Sequence, residues 1–180
     1  MIVTELKIDL PAGKLLLRSP EETDAEMLID YLRTVNAESR FLSKEPEEIT
    51  FSAEGEAAFI RANREAEHEV MLLGFLNGEY VGNCSLSGFG TMRSRHRAVL
   101  GIALYQKYTG LGIGRAMIGQ LMTIAREWGL EQIELEVVAD NKRAIRLYEQ
   151  MGFVRSGTLT RNMKYKDGTY ADAYWMVKQL

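Results

Sequence analysis

Ala98-Val-Leu-Gly-Ile-Ala-Leu104 is followed, after five intervening residues, by Gly110-Leu-Gly-Ile-Gly114-Arg115. The first run is almost wholly apolar, as expected of a short strand covered on both faces. The second carries three glycines and opens a stripe of Ile113, Met117, Leu121, Ile124, Ala125 and Trp128 at helical spacing. A strand, a glycine turn and a helix N-terminus together make an anion site. Small residues let the backbone approach a ligand, exposed N–H groups point at it, and the helix dipole adds positive potential. A nucleoside-triphosphate loop would need Gly-Lys-Ser/Thr where this chain has Gly114-Arg115-Ala116. The dinucleotide pattern G-x-G-x-x-G fails as well, because its last position falls on Arg115 or Met117. On the loop alone two readings stay open: phosphate binding, or glycines that only let helix pack closely on strand.

Working outward, Lys14 to Arg18 reads as a short strand. Thr23 opens a helix with Ala25, Leu28, Ile29 and Leu32 on one face. A second helix spans Ala53 to Glu67 with Ala57, Ala58 and Ile60 inward, and the connection Ala37 to Phe51 is irregular. Val70–Leu76 and Tyr80–Leu86 flank Asn77-Gly78, a hairpin signal because both turn positions need positive φ. After the glycine helix, Gln132–Val138 alternates Ile133, Leu135 and Val137 with Glu134 and Glu136. Asn141 stands where a helix cap belongs, Gly152 stops that helix, and two last strands flank Asp167-Gly168. The order is strand, two helices, three strands, helix, strand, helix, two strands: a mixed α/β sheet with helices on its faces.

The 180 residues, 46% hydrophobic, fit one domain. A net charge of −3 gives no overall pull toward nucleic acid or an anionic membrane. Cys84 is the sole cysteine, so no internal disulfide forms and a cytoplasmic address is the default expectation. MIVTELKIDLPAG lacks the apolar core of a signal peptide, and no stretch approaches a membrane span. His68, His96 and Cys84 show no metal-ligand spacing, so no metal is expected.

The segment Leu100–Arg115 resembles the acetyl-CoA-binding motif of the GNAT N-acetyltransferase superfamily. The later run Asp140-Asn-Lys-Arg-Ala-Ile-Arg-Leu-Tyr-Glu-Gln-Met-Gly-Phe153 resembles that family's second motif. The two stand in the family's order, one helix and one strand apart, and the resemblance covers nearly the whole chain: a single domain over 1–180 with its core about 14–178. It implies a GNAT-type mixed, mostly antiparallel sheet, splayed at the centre, with helices on both faces. It implies acetyl-CoA as cosubstrate, its pyrophosphate on backbone N–H groups of Gly110, Leu111, Gly112, Ile113, Gly114 and Arg115. Ile102, Ala103 and Leu104 would pair with the pantetheine arm as an added strand does. Asn141 would reach that arm or cap the next helix, Ala144 would leave room, and Tyr148 would face the sulfur. Thr109 departs from the family's Arg or Gln, which removes a long polar side chain but not the backbone donors. Gln106 stands where the family often has proline.

The implied chemistry is direct attack of a neutral amine on the thioester, with a backbone N–H near Leu104 on the oxyanion and Tyr148 as proton donor to the thiolate. Taken alone, Tyr148 lies at helical spacing with Ala144 and Met151 and reads as plain core; the motif around it is what turns the reading to proton donor. The general base is not identified: Glu134 and Glu136 are candidates, His96 and Cys84 read as structural. The acceptor is assigned to Ala37–Phe51 and the final hairpin, with Tyr31, Glu38, Arg40, Phe41, Tyr165, Tyr170, Asp172 and Tyr174. These suit a small cationic amine, or alternatively a protein N-terminus. A non-catalytic CoA-binding module is the third reading, and a homodimer is possible on this fold.

Overall fold

Asn77 and Gly78 both adopt positive φ (52° and 88°), so the central hairpin closes in the two-residue turn that suits the right-handed twist of its strands. Around it the computed structural model describes all 180 residues. Eight strands run β1 (Leu6–Leu10), β2 (Gly13–Arg18), β3 (Glu69–Leu76), β4 (Glu79–Gly88), β5 (Arg97–Leu104), β6 (Gln132–Val138), β7 (Val154–Lys164) and β8 (Tyr170–Gln179). Four helices accompany them: α1 (Ala25–Glu38), α2 (Ala53–Glu65), α3 (Ile113–Glu127) and α4 (Lys142–Gln150). All strands join one sheet in the order β1-β2-β3-β4-β5-β6-β8-β7. Every neighbouring pair is antiparallel except β5 and β6.

That exception sets up the site. β5 and β6 are in register only over Arg97–Gln132, Ala98–Ile133 and Val99–Glu134, and beyond these residues the strands separate. The splay expected from the resemblance is therefore present. The closing rung is held from one side chain. Glu134 is 1% exposed, and its carboxylate accepts from Arg97 Nη1 at 2.6 Å, Gln132 Nε2 at 2.7 Å and Trp175 Nε1 at 3.1 Å. A buried carboxylate is tolerated when it is paired and hydrogen-bonded in this way.

α3 covers one face of the sheet, where Ile113, Met117, Ile118 and Leu121 are fully buried against β3–β6. α4 packs on the same core through Ile145, Leu147 and Tyr148. α1 and α2 cover the other face with Leu28, Tyr31, Val35 and Ile60. Arg18 anchors the entry to α1 by donating twice to Asp24, at 2.6 and 2.7 Å, and that contact helps hold the Asp24 carboxyl below its usual range despite burial.

Three details differ from the sequence reading. The sheet begins at β1, whose Leu6, Ile8 and Leu10 pack on the core. In α2, Ala58 is exposed while Glu56 turns inward, its carboxyl pushed up by burial. In β5, Ala98 and Leu100 are buried, but Gly101 is exposed and Ile102–Leu104 are half-covered, because the second half of the strand borders the gap.

Candidate active site

Where β5 leaves β6, the sheet opens into a cleft of about 950 Å³ between α3, α4 and the segment after α1. That is at the upper end of the volumes small-ligand pockets reach, room for a long ligand. Ile102, Ala103 and Leu104 line it on the β5 side. Thr109, Gly110, Gly112, Gly114 and Arg115 line it at the mouth of α3, and Asn141, Ala144 and Tyr148 on the α4 side. The predicted residues are thus assembled, with two exceptions. Leu111 is 38% exposed and Ile113 is fully buried in the core, so neither side chain faces the cleft.

The glycine turn has the conformation its residues require. Gly110 and Gly112 both hold φ of +83°, where a side chain would be strained, and an added Cβ would meet nothing within 4 Å. Gly112 is the N-cap of α3 and offers no side chain, so the first N–H groups of the helix are left for a ligand. Gly114 serves packing: a Cβ there would lie 3.3 Å from Leu147 of α4. The packing reading holds at Gly114, while Gly110 and Gly112 leave open space at the mouth of the helix.

Thr109 is occupied. Its hydroxyl donates to the Gln106 carbonyl at 2.8 Å and is contacted by Arg143 Nη1 of α4. Arg143, Lys142 and Arg115 all border this end of the cleft, giving it positive character that the loop itself lacks. The sequence reading missed Arg143, since a basic residue on a polar helix face looks like any solvated charge. Asn141 caps α4, its Oδ1 accepting from Ala144 N at 3.2 Å.

Tyr148 is 7% exposed and packs edge-on against Phe153, with ring centroids 5.9 Å apart. It is core and cleft wall at once. Burial alone pushes its phenol up to about 12, so it stays protonated through the neutral range. The two glutamates of β6 have different fates. Glu134 is consumed by Arg97 and Trp175, whereas Glu136 is exposed and lines the cleft, with Asn162 Nδ2 donating to it at 2.6 Å. They share a strand face; what separates them is that β5 departs after Glu134.

Glu38, Arg40 and Phe41 line the end near α1, but the rest of the predicted acceptor set is elsewhere. Tyr31 is 1% exposed within the core, donating from its hydroxyl to the Ala103 carbonyl at 2.7 Å. Tyr165 lies beneath the Arg40 guanidinium, 4.2 Å from ring centre. Tyr174 and Tyr170 carry Arg155 and Arg161 on their rings, and Asp172 accepts from Arg161 N; none of the three lines the cleft. Cys84 is buried, and His96 lies outside the cleft with its carbonyl accepting from Glu131 and Gln132. No helix is long and apolar enough to cross a membrane.

An internally split sheet, a glycine turn at the mouth of the split and a protonated phenol on its wall form the arrangement that the family resemblance implies for an acyl-CoA-using fold. The family profile described as "Acetyltransferase (GNAT) family" matches residues 28–153, and the chain belongs to that family. It is 29% identical over 108 residues to the L-amino acid N-acetyltransferase AaaT of Escherichia coli, covering 59% of this chain and 66% of that one. It is 36% identical over 99 residues to the N-alpha-acetyltransferase RimI of Mycobacterium tuberculosis, covering 55% and 59%. These matches thus span somewhat less than two thirds of those relatives. An acetyltransferase of the GNAT family from Streptococcus pneumoniae superposes with a TM-score of 0.86 at 29% identity, over 92% of this chain and 99% of that one.

Proposed function

We propose that the protein transfers an acetyl group from acetyl-CoA to a small primary amine, and the observation that carries this is the placement of Glu136 and Tyr148 on the walls of one cleft. Acetyl-CoA would supply an activated acetyl thioester. The cleft suits it in two respects: N–H groups at Gly112 with Arg115 and Arg143 for the phosphates, and a free β5 edge at Ile102–Leu104 for the amide-bearing arm.

The amine enters from the α1 side. There Glu38, Glu136 and Asp140 outnumber Arg40, so the mouth is acidic and attracts an ammonium group. Glu136 receives the proton the nitrogen must lose, directly or through water. As the new C–N bond forms the nitrogen becomes far more acidic than a free ammonium, so a carboxylate is basic enough. The Leu104 N–H points into the gap and holds the carbonyl oxygen as it gains charge. The C–S bond breaks, and Tyr148 gives its proton to the departing sulfur. Water returns that proton to the phenol and takes the one on Glu136.

The experiment is thiol release from acetyl-CoA with polyamines, amino acids, aminoglycosides and N-terminal peptides, for the native protein and for Glu136→Gln. Turnover with a small amine is expected, reduced about 10²-fold in Glu136→Gln with little change in KM for acetyl-CoA. Release with peptides alone would replace the small acceptor by a protein N-terminus; CoA binding without release would leave a binding module.

Gly112→Val should weaken CoA. The residue would have to hold φ of +83°, unfavourable for a β-branched side chain, or distort the cradle. Calorimetric titration is expected to show CoA affinity reduced at least tenfold, with the melting temperature lowered by a few degrees at most.

A further inference from the structure

We infer that Tyr31 is a positioning residue for acetyl transfer: its hydroxyl fixes the Ala103–Leu104 peptide group, whose N–H is presented to the thioester oxygen. The inference rests on the function proposed above and concerns a side chain that never reaches the cleft.

The argument begins with the peptide plane. Ala103 C=O and Leu104 N–H belong to one trans peptide unit, so they point in opposite directions. Tyr105 N donates to Val81 O of β4 at 3.0 Å, which fixes the side of β5 that faces β4. By alternation Ala103 C=O points to that side also, and Leu104 N–H points away, into the gap left by β6. Whatever tilts the carbonyl tilts the N–H through the same angle.

Tyr31 adds a side-chain hold on that tilt beside the pairing of Ala103 with Asn83 of β4. Its hydroxyl donates to Ala103 O at 2.7 Å across 72 residues of sequence. The ring is fully buried and wedged edge-on between Tyr80 and Tyr105, with centroid distances of 5.2 and 5.1 Å. The donor therefore cannot follow the carbonyl if it swings. On the other side, β4 yields space: a Cβ on Gly82 would lie 2.3 Å from the same oxygen and 2.8 Å from Leu104 Cα, and Gly82 holds φ of +142°. The carbonyl sits in a notch made by an absent side chain and is pinned there by a phenol. A hydrogen bond to the carbonyl also polarises the amide, making its N–H a better donor. Position and donor strength at the reacting oxygen are both set from α1.

The test uses acetyl-CoA carrying 13C at the thioester carbonyl, bound to the native protein and to Tyr31→Phe, with infrared detection of that carbonyl. The expected result is a lowered stretching frequency in the native complex that returns toward the free value in Tyr31→Phe. Acetyl-CoA affinity should change less than about twofold and kcat should fall about tenfold, a fraction of what losing such a donor outright costs. A merely structural role would lower the melting temperature without moving the carbonyl band. Should Tyr31→Phe melt below the assay temperature, Gly82→Ala crowds the same oxygen from β4, and the same band shift is expected there. An unchanged band and unchanged kcat in the folded variant overturn the inference. So does a native complex whose carbonyl is unshifted, which would remove the role given to Leu104 while leaving acetyl transfer standing. Failure of the native protein to bind acetyl-CoA would instead overturn the proposed function, and this inference with it.

Discussion

Tyr148→Phe is expected to lower kcat by a factor of 10² to 10³ while leaving KM for acetyl-CoA within about twofold, read by steady-state thiol release. The ring, its edge contact with Phe153 and its place in the core survive the change; only the acidic proton goes. A phenol at about 12 facing a thiolate whose free value is ~8.5 looks mismatched by roughly 5 kcal/mol. The departing sulfur, however, enters the same dry wall that raised the phenol, and desolvation raises its basicity too. The pair is matched in the site though not in water. The raised value also fixes the pH dependence. The amine loses its proton as pH rises, so activity should climb and then hold until the pH approaches 12, where ionisation of Tyr148 reduces it. Stability responds with the opposite slope. The unfolded phenol ionises near ~10 and the folded one near 12, so the unfolded state holds fewer protons between those values and stability falls as pH rises through that window.

Arg97→Ala should be the most damaging change to stability outside the apolar core, about 3 kcal/mol, seen as a drop of roughly 6–12 °C in melting temperature. The cost comes from its partner. Glu134 is 1% exposed, and without the guanidinium at 2.6 Å its charge rests on the Gln132 amide and the Trp175 indole. Arg97 is itself one-third exposed, so the loss of its own packing is the smaller part. The rung that fails is the last one before the strands part. Activity should therefore decline in Arg97→Ala at temperatures where the protein is still folded.

How much of this was legible in the sequence depends on the range over which each feature is determined. The glycine turn, the Asn141 cap and the Asn77-Gly78 hairpin are set by neighbours within a few residues, and their backbone requirements can be read directly. The departure of β5 from β6 was expected only through family resemblance, because strand pairing between segments 35 residues apart leaves no local mark. That pairing decides which of Glu134 and Glu136 is free, so the alternation Gln132–Val138 could nominate both and choose neither. Tyr31 is the sharper case. It looked like an acceptor-side aromatic because it sits at the right end of the chain map, yet its partner is 72 residues away and inside the sheet. β1 was within reach: Leu6, Ile8 and Leu10 alternate with Lys7 and Asp9, and Pro11-Ala-Gly13 makes the turn. The inward turn of Glu56 in α2 was not, since a carboxylate breaks the apolar phase that places the helix face.

The parting of β5 from β6 after three rungs leaves the gap-facing backbone polar groups of a central strand without a strand partner. Proteins ordinarily protect such an edge because it invites another chain to add itself. Here the bare stretch runs only over Leu100–Leu104 and is bordered by helices, a poor berth in length and width for a full polypeptide strand with its side chains. A slender polyamide thread without side chains meets neither obstacle. On the function proposed above, an aggregation hazard becomes a selectivity filter: the unfinished sheet would accept a cofactor arm as backbone and leave a polypeptide strand out.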